Sequence, residues 1–412
     1  MSHSASILFV NQDYHPDLVS AGQRLTDLAE YLAEDGFDVK VLCGRGGYEG
    51  ESAEAPLKET RNGVQIRRFR TPNFGRSSSL GRITDYGAFF LQAFGHVLTS
   101  SSPDFVITLT TPPLVNIIGL AASVLQGQKY GIWSMDLHPD GEKALGMLSE
   151  GSLLACSLDA LNDAAHKRAD FVVALGRRMA QQIREKGASR DNVTVLPMWT
   201  KGMHEVPDEE NPLLDDFGLK DKFVVLYAGN AGLFHQFEEI CDCMAHFKNH
   251  EDIYFLFVGG GPRKDEIVSF VEREEIGNFE YRDYAPRADL KYILSLADVH
   301  LLSLRPEMAG LAVPSKLYDS MMSARPVMMV GPEGSEAAIT IEQGNFGFVI
   351  DPSNQSREAV TEGLVDSIIS LYRQPELRRE MGRRGSQLYS RQYAREVVCE
   401  KWSRFLRQEL ER

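Results

Sequence analysis

Short runs of apolar, mostly β-branched or aromatic residues recur along the chain, separated by longer stretches in which apolar positions return every three to four residues. In the first half the runs fall at 7–10, 39–43, 105–109, 130–135, 171–175 and 193–196. In the second they fall at 223–228, 253–258, 279–282, 299–302, 327–330 and 346–350. Unbroken hydrophobicity over so few residues predicts strands buried on both faces, as in parallel sheets. Between the first two runs Leu25, Leu28, Ala29 and Leu32 share one face of a predicted helix that closes at Gly36. The last segments, 357–372, 375–389 and 395–410, are helical in period and rich in charge. Strands alternating with helices in this way call for doubly wound α/β sheets, with ligands at the carboxyl ends of the strands.

The alternation is interrupted once. From Trp199 to Lys222 the chain is acidic, carries Pro207 and Pro212 and shows little period, so a linker is expected at 201–222 between domains at 1–200 and 223–393. A length of 412 residues accommodates two such domains, and 43% apolar with 25% charged residues is globular composition. The net charge of −14 repels nucleic acid and anionic membranes, so no nucleic-acid partner is expected and a membrane partner needs a local basic patch. Five scattered cysteines form no disulfide framework, and the first residues run into a strand without the features of a signal peptide, which points to the cytoplasm. Residues 105–128 carry no formal charge, but Pro112, Pro113 and several threonines break the stretch, so no transmembrane segment is expected.

Candidate chemistry sits after the predicted strands. The first loop holds Tyr14, His15 and Pro16, followed by Gly22 at a helix start; it is either a ligand contact or an ordinary βα loop. After the strand at 130–135 come Asp136 and His138, a carboxylate and an imidazole placed to orient or deprotonate a hydroxyl, or else to satisfy loop backbone. In the second half Gly229, Asn230 and Gly232, and then Gly259, Gly260, Gly261 and Arg263, follow successive strands and suit a nucleotide diphosphate, the arginine within reach of an anion. Further on, Arg305 and Glu307 precede Gly310, Leu311 and a helix opened by Pro314 with Ser315, Lys316 and Asp319. There the lysine fits phosphate and the aspartate fits ribose hydroxyls. No zinc-type cysteine pair, HExxH, GxSxG or P-loop pattern occurs, and no metal site is expected.

A charge anomaly remains. Arg61, Arg67, Arg68, Arg70, Arg76 and Arg82 occur with no acid from 61 to 82, and the segment runs into a helical face carrying Phe89, Phe90 and Phe94. This suits an anionic lipid surface or a lipid diphosphate; the alternative is a core helix beside solvated arginines.

In order and spacing these elements resemble the GT-B glycosyltransferases of family 4, in particular bacterial enzymes of colanic-acid, O-antigen and capsule assembly. The carrying residues are Tyr14-His15-Pro16 to Gly22, Thr111-Pro112-Pro113, Tyr227 to Gly232, Phe257 to Pro262, and Val313-Pro314-Ser315-Lys316-Leu317-Tyr318-Asp319. The resemblance implies two Rossmann-like domains facing a cleft, with the acceptor in the first, near His15 and Gly22. It implies a UDP- or GDP-sugar in the second, and a last helix, 394–412, that returns to the first domain. It also implies retention of anomeric configuration and no metal, and no cofactor is expected; the arginine and aromatic segment adds the expectation of a lipid-linked acceptor and a peripheral place on the inner membrane face. Lys316 and Arg263 would face the diphosphate, Asp319 the ribose, and Asp136 and His138 the sugar or acceptor hydroxyl. The family's glutamate pair is altered: its second member falls on Asp319 and its first on Leu311, with Glu307 the nearest acid and the third member of the catalytic set. The usual arginine and lysine after the first strand of the donor domain are replaced by Asn230 and by His235 or Gln236. A nucleotide-sugar 2-epimerase and an inactive glycan or nucleotide binder are the alternative functions.

Overall fold

The computed structural model describes residues 4–17, 19–45, 55–72, 74, 79–100, 102–200, 206–286 and 288–412. The chain divides into two units, Met1–Met198 with Arg395–Arg412, and Trp199–Ala394.

The first unit is built on eight strands: β1 (Ser6–Val10), β2 (Asp38–Gly44), β3 (Lys58–Arg61), β4 (Val64–Phe69), β5 (Phe105–Thr108), β6 (Tyr130–Ser134), β7 (Phe171–Ala174) and β8 (Val193–Val195). Their spatial order is β3-β4-β2-β1-β5-β6-β7-β8, all parallel except the β3–β4 pair. The central strands are buried on both faces, which is why they read as unbroken apolar runs. Helix Ser20–Glu34 covers the sheet with Leu25, Leu28, Ala29 and Leu32, all fully buried, and the chain leaves it through Gly36 at φ 94°. β3 and β4 were not expected. Arg61 pairs with Val64 across Asn62-Gly63, both at positive φ, so the two residues form a tight hairpin turn, and Val64 and Ile66 point inward while Gln65 does not.

The second unit has six parallel strands: β9 (Phe223–Ala228), β10 (Ile253–Val258), β11 (Phe279–Arg282), β12 (Val299–Ser303), β13 (Val327–Val330) and β14 (Gly347–Ile350). The order β11-β10-β9-β12-β13-β14 reverses direction between β9 and β12, and such a switch point opens a crevice at the carboxyl ends of those two strands. The expected linker is largely part of this unit. Val206 donates its N–H to Ser295 Oγ at 3.2 Å, Asn211 bonds the Tyr292 carbonyl at 2.8 Å, and Leu219 and Phe217 join the apolar cluster with Val224 and Leu226. Acids and prolines on the outer side of 206–222 hid these inward anchors.

Helix Pro375–Gln392 stays with the second unit, where Tyr389 donates to the Thr200 carbonyl at 2.9 Å. Helix Arg395–Glu411 joins the first: Trp402 is fully buried with its ring 4.8 Å from Trp133, and Phe405 meets Phe171 edge-on at 5.1 Å. Among the described residues no helix is long and apolar enough to cross a membrane.

Candidate functional site

At the switch point of the second unit, the loops after β9 and β10 and the start of helix Lys316–Met322 converge. Gly229 N–H donates to the Val258 carbonyl at 2.7 Å, and Ala231 N–H to the Gly260 carbonyl at 2.6 Å. A Cβ on Gly259 would stand 2.2 Å from the Gly229 carbonyl oxygen. The glycines of the two turns therefore serve first to let the turns approach each other. Gly229 has a second reason: at φ 126° its missing Cβ leaves the space through which Lys316 Cε passes, 2.6 Å from where that Cβ would be.

Lys316 Nζ donates to the Asn230 carbonyl at 3.1 Å, lies 3.1 Å from His235 Nε2, and stands 4.9 Å above the Tyr227 ring. Tyr227 Oη also donates to the Asn230 carbonyl, at 2.9 Å. Burial lowers the lysine's pKa to about 7, with Asp319 acting in the opposite direction. His235 Nδ1 faces the Ser303 carbonyl at 2.5 Å, and burial, then the Lys316 charge, push the imidazole down to about 3 despite that hydrogen bond. Asp319 and Ser315 are half-buried beside the lysine, whereas Leu311 and Gly310 are buried and Glu307 stands exposed on a short 3-10 turn, Pro306–Met308.

Arg263 does not face an anion site. It is 5% exposed, pairs with Glu238 at 2.7 Å and Glu266 at 2.6 Å, and donates to the His235 carbonyl at 2.9 Å, so its donors are spent inside the fold. Arg305, by contrast, is about a third exposed, donates to the same His235 carbonyl at 3.2 Å, and has Glu238 3.9 Å away. The sequence alone did not separate the two arginines: Glu266 stands three residues after Arg263, but Glu238 comes from another helix and nothing local shows that the guanidinium is buried.

In the first unit Asp136 and His138 follow β6. The Thr110 hydroxyl accepts from the N–H groups of Met135 and Asp136, each at 3.3 Å, and Asp136, His138, Asn162 and His166 line a small cavity that Leu114 and Leu137 help to close. His138 Nδ1 is 2.6 Å from Glu142 Oε1. Burial works against charge on His138, but the Glu142 hydrogen bond and charge outweigh it and raise the pKa. Burial raises the Asp136 carboxyl as well, with Glu142 adding and His138 subtracting. An imidazole oriented by one carboxylate and close to the charge of a second carboxyl, whose pKa burial raises, is equipped to move a proton. Glu142 was missed, although its spacing of four from His138 was open to view.

The loop after β1 is more structural than expected. His15 N–H donates to Thr26 Oγ1 at 3.2 Å and its carbonyl accepts from Arg68 at 2.8 Å. A Cβ on Gly22 would press on the Asp13 backbone at 3.0 Å.

The lipid-docking surface expected from 61–94 loses its main members. Arg68 is buried, paired with Glu59 at 2.6 Å and bonded to the Pro56 carbonyl, because β4 turns it inward. Phe89 is fully buried against Leu42, Phe69 and Val106, and Phe90 and Phe94 pack on the same cluster. Arg67 lies 5.6 Å from the Phe69 ring and Arg70 is exposed; Arg76 and the Arg82 side chain lie outside the described residues. The apolar face reads as core because helix Ser79–Thr99 covers β1, β2, β4 and β5.

Comparison with known proteins bears on both units. The glycosyl transferase 4-like domain matches residues 21–199 and the glycosyl transferases group 1 domain matches 214–388. The chain belongs to the group 1 glycosyltransferases of family 4, with the GT-B fold. It is 28% identical to the probable glycosyltransferase WbjE of Pseudomonas aeruginosa, over 74% of this chain and 75% of that protein. It is 24% identical to the putative colanic acid biosynthesis glycosyl transferase WcaI of Escherichia coli K12, over 76% of this chain and 79% of the other. In fold it is similar to Anabaena HepE, whose structure holds UDP-glucose, with a TM-score of 0.72 at 15% identity over 98% and 99% of the two chains.

Proposed function

We propose that this glycosyltransferase moves a sugar, with retention of configuration, from a UDP- or GDP-sugar bound in the second unit to a hydroxyl of a lipid-linked glycan in bacterial surface-polysaccharide assembly. The observation that carries the reading is Lys316. Its partners at the switch point, a carbonyl and an imidazole, orient the ammonium without neutralising it, and half-burial makes it costly unless an anion arrives. Arg305 stands nearby with part of its guanidinium exposed and takes the place given at first to Arg263. In this reading Asp319, on the same helix as Lys316, takes the ribose hydroxyls, and the Asp136–His138–Glu142 group, ordered by the His138–Glu142 contact, handles the acceptor proton. Support for the coarser part comes from WbjE and WcaI, named as glycosyltransferases, the second of colanic acid biosynthesis, and from the UDP-glucose held by HepE.

The leaving diphosphate is met by side-chain cations, so turnover is expected to persist in a chelator. The test is a panel of UDP- and GDP-sugars offered with a polyprenyl-diphosphate-linked sugar in EDTA, following nucleotide release and the anomeric signal of the product by NMR. Release of UDP or GDP with a retained anomer supports the proposal. An inverted product, or turnover only after Mg²⁺ or Mn²⁺ is restored, overturns it.

A further inference from the structure

The loop that follows β9 ends on a histidine held from three directions. Arg263 and Arg305 both donate to the His235 carbonyl, at 2.9 and 3.2 Å, and Glu238 lies between the two guanidiniums. The ring packs edge-on against Tyr227 and Phe237, with centroids 6.1 and 6.2 Å away. On one edge Nδ1 meets the Ser303 carbonyl; on the other Nε2 meets Lys316 Nζ. A carbonyl only accepts, so Nδ1 carries the hydrogen, and in a neutral ring Nε2 is then a lone pair. The lysine is the donor in the second contact.

We propose that His235 is a positioning residue for the donor diphosphate: a neutral imidazole, locked as the Nδ1–H tautomer by the Ser303 carbonyl, that accepts a hydrogen bond from Lys316 and fixes the ammonium beside the loop after β9. This rests on the nucleotide-diphosphate-sugar reading above. The charged groups around the contact are Asp319 on the lysine's own helix and, behind the histidine, Arg263, Arg305 and Glu238. A second cation at His235 would face Lys316 directly, and burial with both neighbouring cations keeps the ring uncharged. With two of its hydrogens committed to Asn230 and His235, the ammonium has its third available to a phosphate oxygen. A free lysine stem loses considerable rotamer freedom on engaging a ligand; here that loss is taken during folding, so binding is stronger. The arrangement also gives Arg263 a role, since it anchors the loop that carries the histidine.

The experiment compares nucleoside diphosphates with monophosphates. Titration calorimetry on the full chain measures UDP against UMP, and GDP against GMP, for the parent, Lys316→Ala, His235→Phe and His235→Gln. Phenylalanine keeps the ring packing without the acceptor, and glutamine restores an acceptor. The expected result is that His235→Phe cuts the diphosphate-over-monophosphate preference by roughly tenfold, leaves monophosphate affinity unchanged, and that His235→Gln recovers most of the loss. An equal loss for mono- and diphosphate, or no loss, overturns the role of His235. If the parent shows no diphosphate preference and Lys316→Ala changes nothing, the nucleotide-sugar reading fails first. Nitrogen-15 NMR of the histidines in the parent protein needs no variant: an Nε2–H tautomer at His235, or a ring that titrates near the ordinary histidine range, overturns the proposal as well.

Discussion

At the scale of single residues, Lys316 sets function against stability. Its pKa of about 7 in the fold lies below the ordinary 10.5, so between those values the unfolded chain binds more protons than the native one and stability rises with pH across that window. Below about 7 both states are charged and the slope disappears. Lys316→Met keeps the stem and removes the charge. It is expected to raise the melting temperature at pH values near 6, with the advantage shrinking toward pH 10, while weakening UDP or GDP binding by about 1.5–3 kcal/mol, roughly 10- to 150-fold in Kd. Calorimetric melts and titrations across pH check both halves, and a variant less stable than the parent at low pH contradicts the cost assigned to the half-buried ammonium. The sequence showed the lysine in the Pro314-Ser315-Lys316 motif, but not its partners, because Asn230 and His235 lie about 80 positions away along the chain. For Arg263 and Arg68 some partners were close in the chain, Glu266 and Glu59, and only Glu238 came from a separate segment; what no local pattern stated is that both guanidiniums are buried.

At the scale of elements, the helix Arg395–Glu411 shows how a surface-looking segment becomes structural. Its sequence is charge-rich, yet Val398, Cys399, Trp402 and Leu406 are all fully buried on one face. Polar contacts fix its register: Arg395 donates to the Asp27 carbonyl at 3.0 Å, Arg407 reaches Asp35 at 2.9 Å, Ser403 bonds the same carboxylate, and Lys129 donates to the Glu409 carbonyl at 3.0 Å. Trp402→Ala removes the indole that packs on Trp133 and leaves a cavity, at a cost of about 3–5 kcal/mol. Denaturant titration followed by tryptophan emission measures it, and a loss below about 1 kcal/mol shows the helix to be dispensable to the first unit. The helical period of this segment was legible in the sequence; the partner for its apolar face comes from residues nearly 270 positions earlier. The Asn62-Gly63 hairpin is the converse case. Its turn signal was present, but the surrounding arginines drew attention to charge and away from alternation.

At the scale of the whole molecule, two sheets with separate cores are joined by a chain that passes from the first unit to the second near Met198 and returns near Arg395. A nucleotide bound at the switch point touches the second unit's elements, so it stabilises that unit first. At 100 times its dissociation constant UDP or GDP adds about 2.7 kcal/mol, which for a unit of this size corresponds to roughly 5–10 °C. Thermal melts followed by calorimetry and, in single-tryptophan variants, by emission are expected to show two transitions, of which the nucleotide moves the one sensed by Trp199 and leaves the one sensed by Trp133 or Trp402 nearly in place. A single transition that shifts as a whole would show that the units unfold together.

By itself the sequence determined what depends on neighbours in the chain. The twelve apolar runs became strands, because a strand buried on both faces must be apolar along its length, and the helix at 20–34 followed from its period of 3.6. Motif order was enough to indicate two α/β domains and a glycosyltransferase. Only the tertiary structure decided which charges face inward. It turned Arg68 and Arg263 into internal struts, made Phe89 core, drew most of the expected linker into the second unit, and set Lys316 between Asn230 and His235. The reason is physical: burial of a charge or an aromatic ring is a property of the surroundings assembled from distant segments, and nothing in a residue's immediate sequence states whether those surroundings will supply a partner.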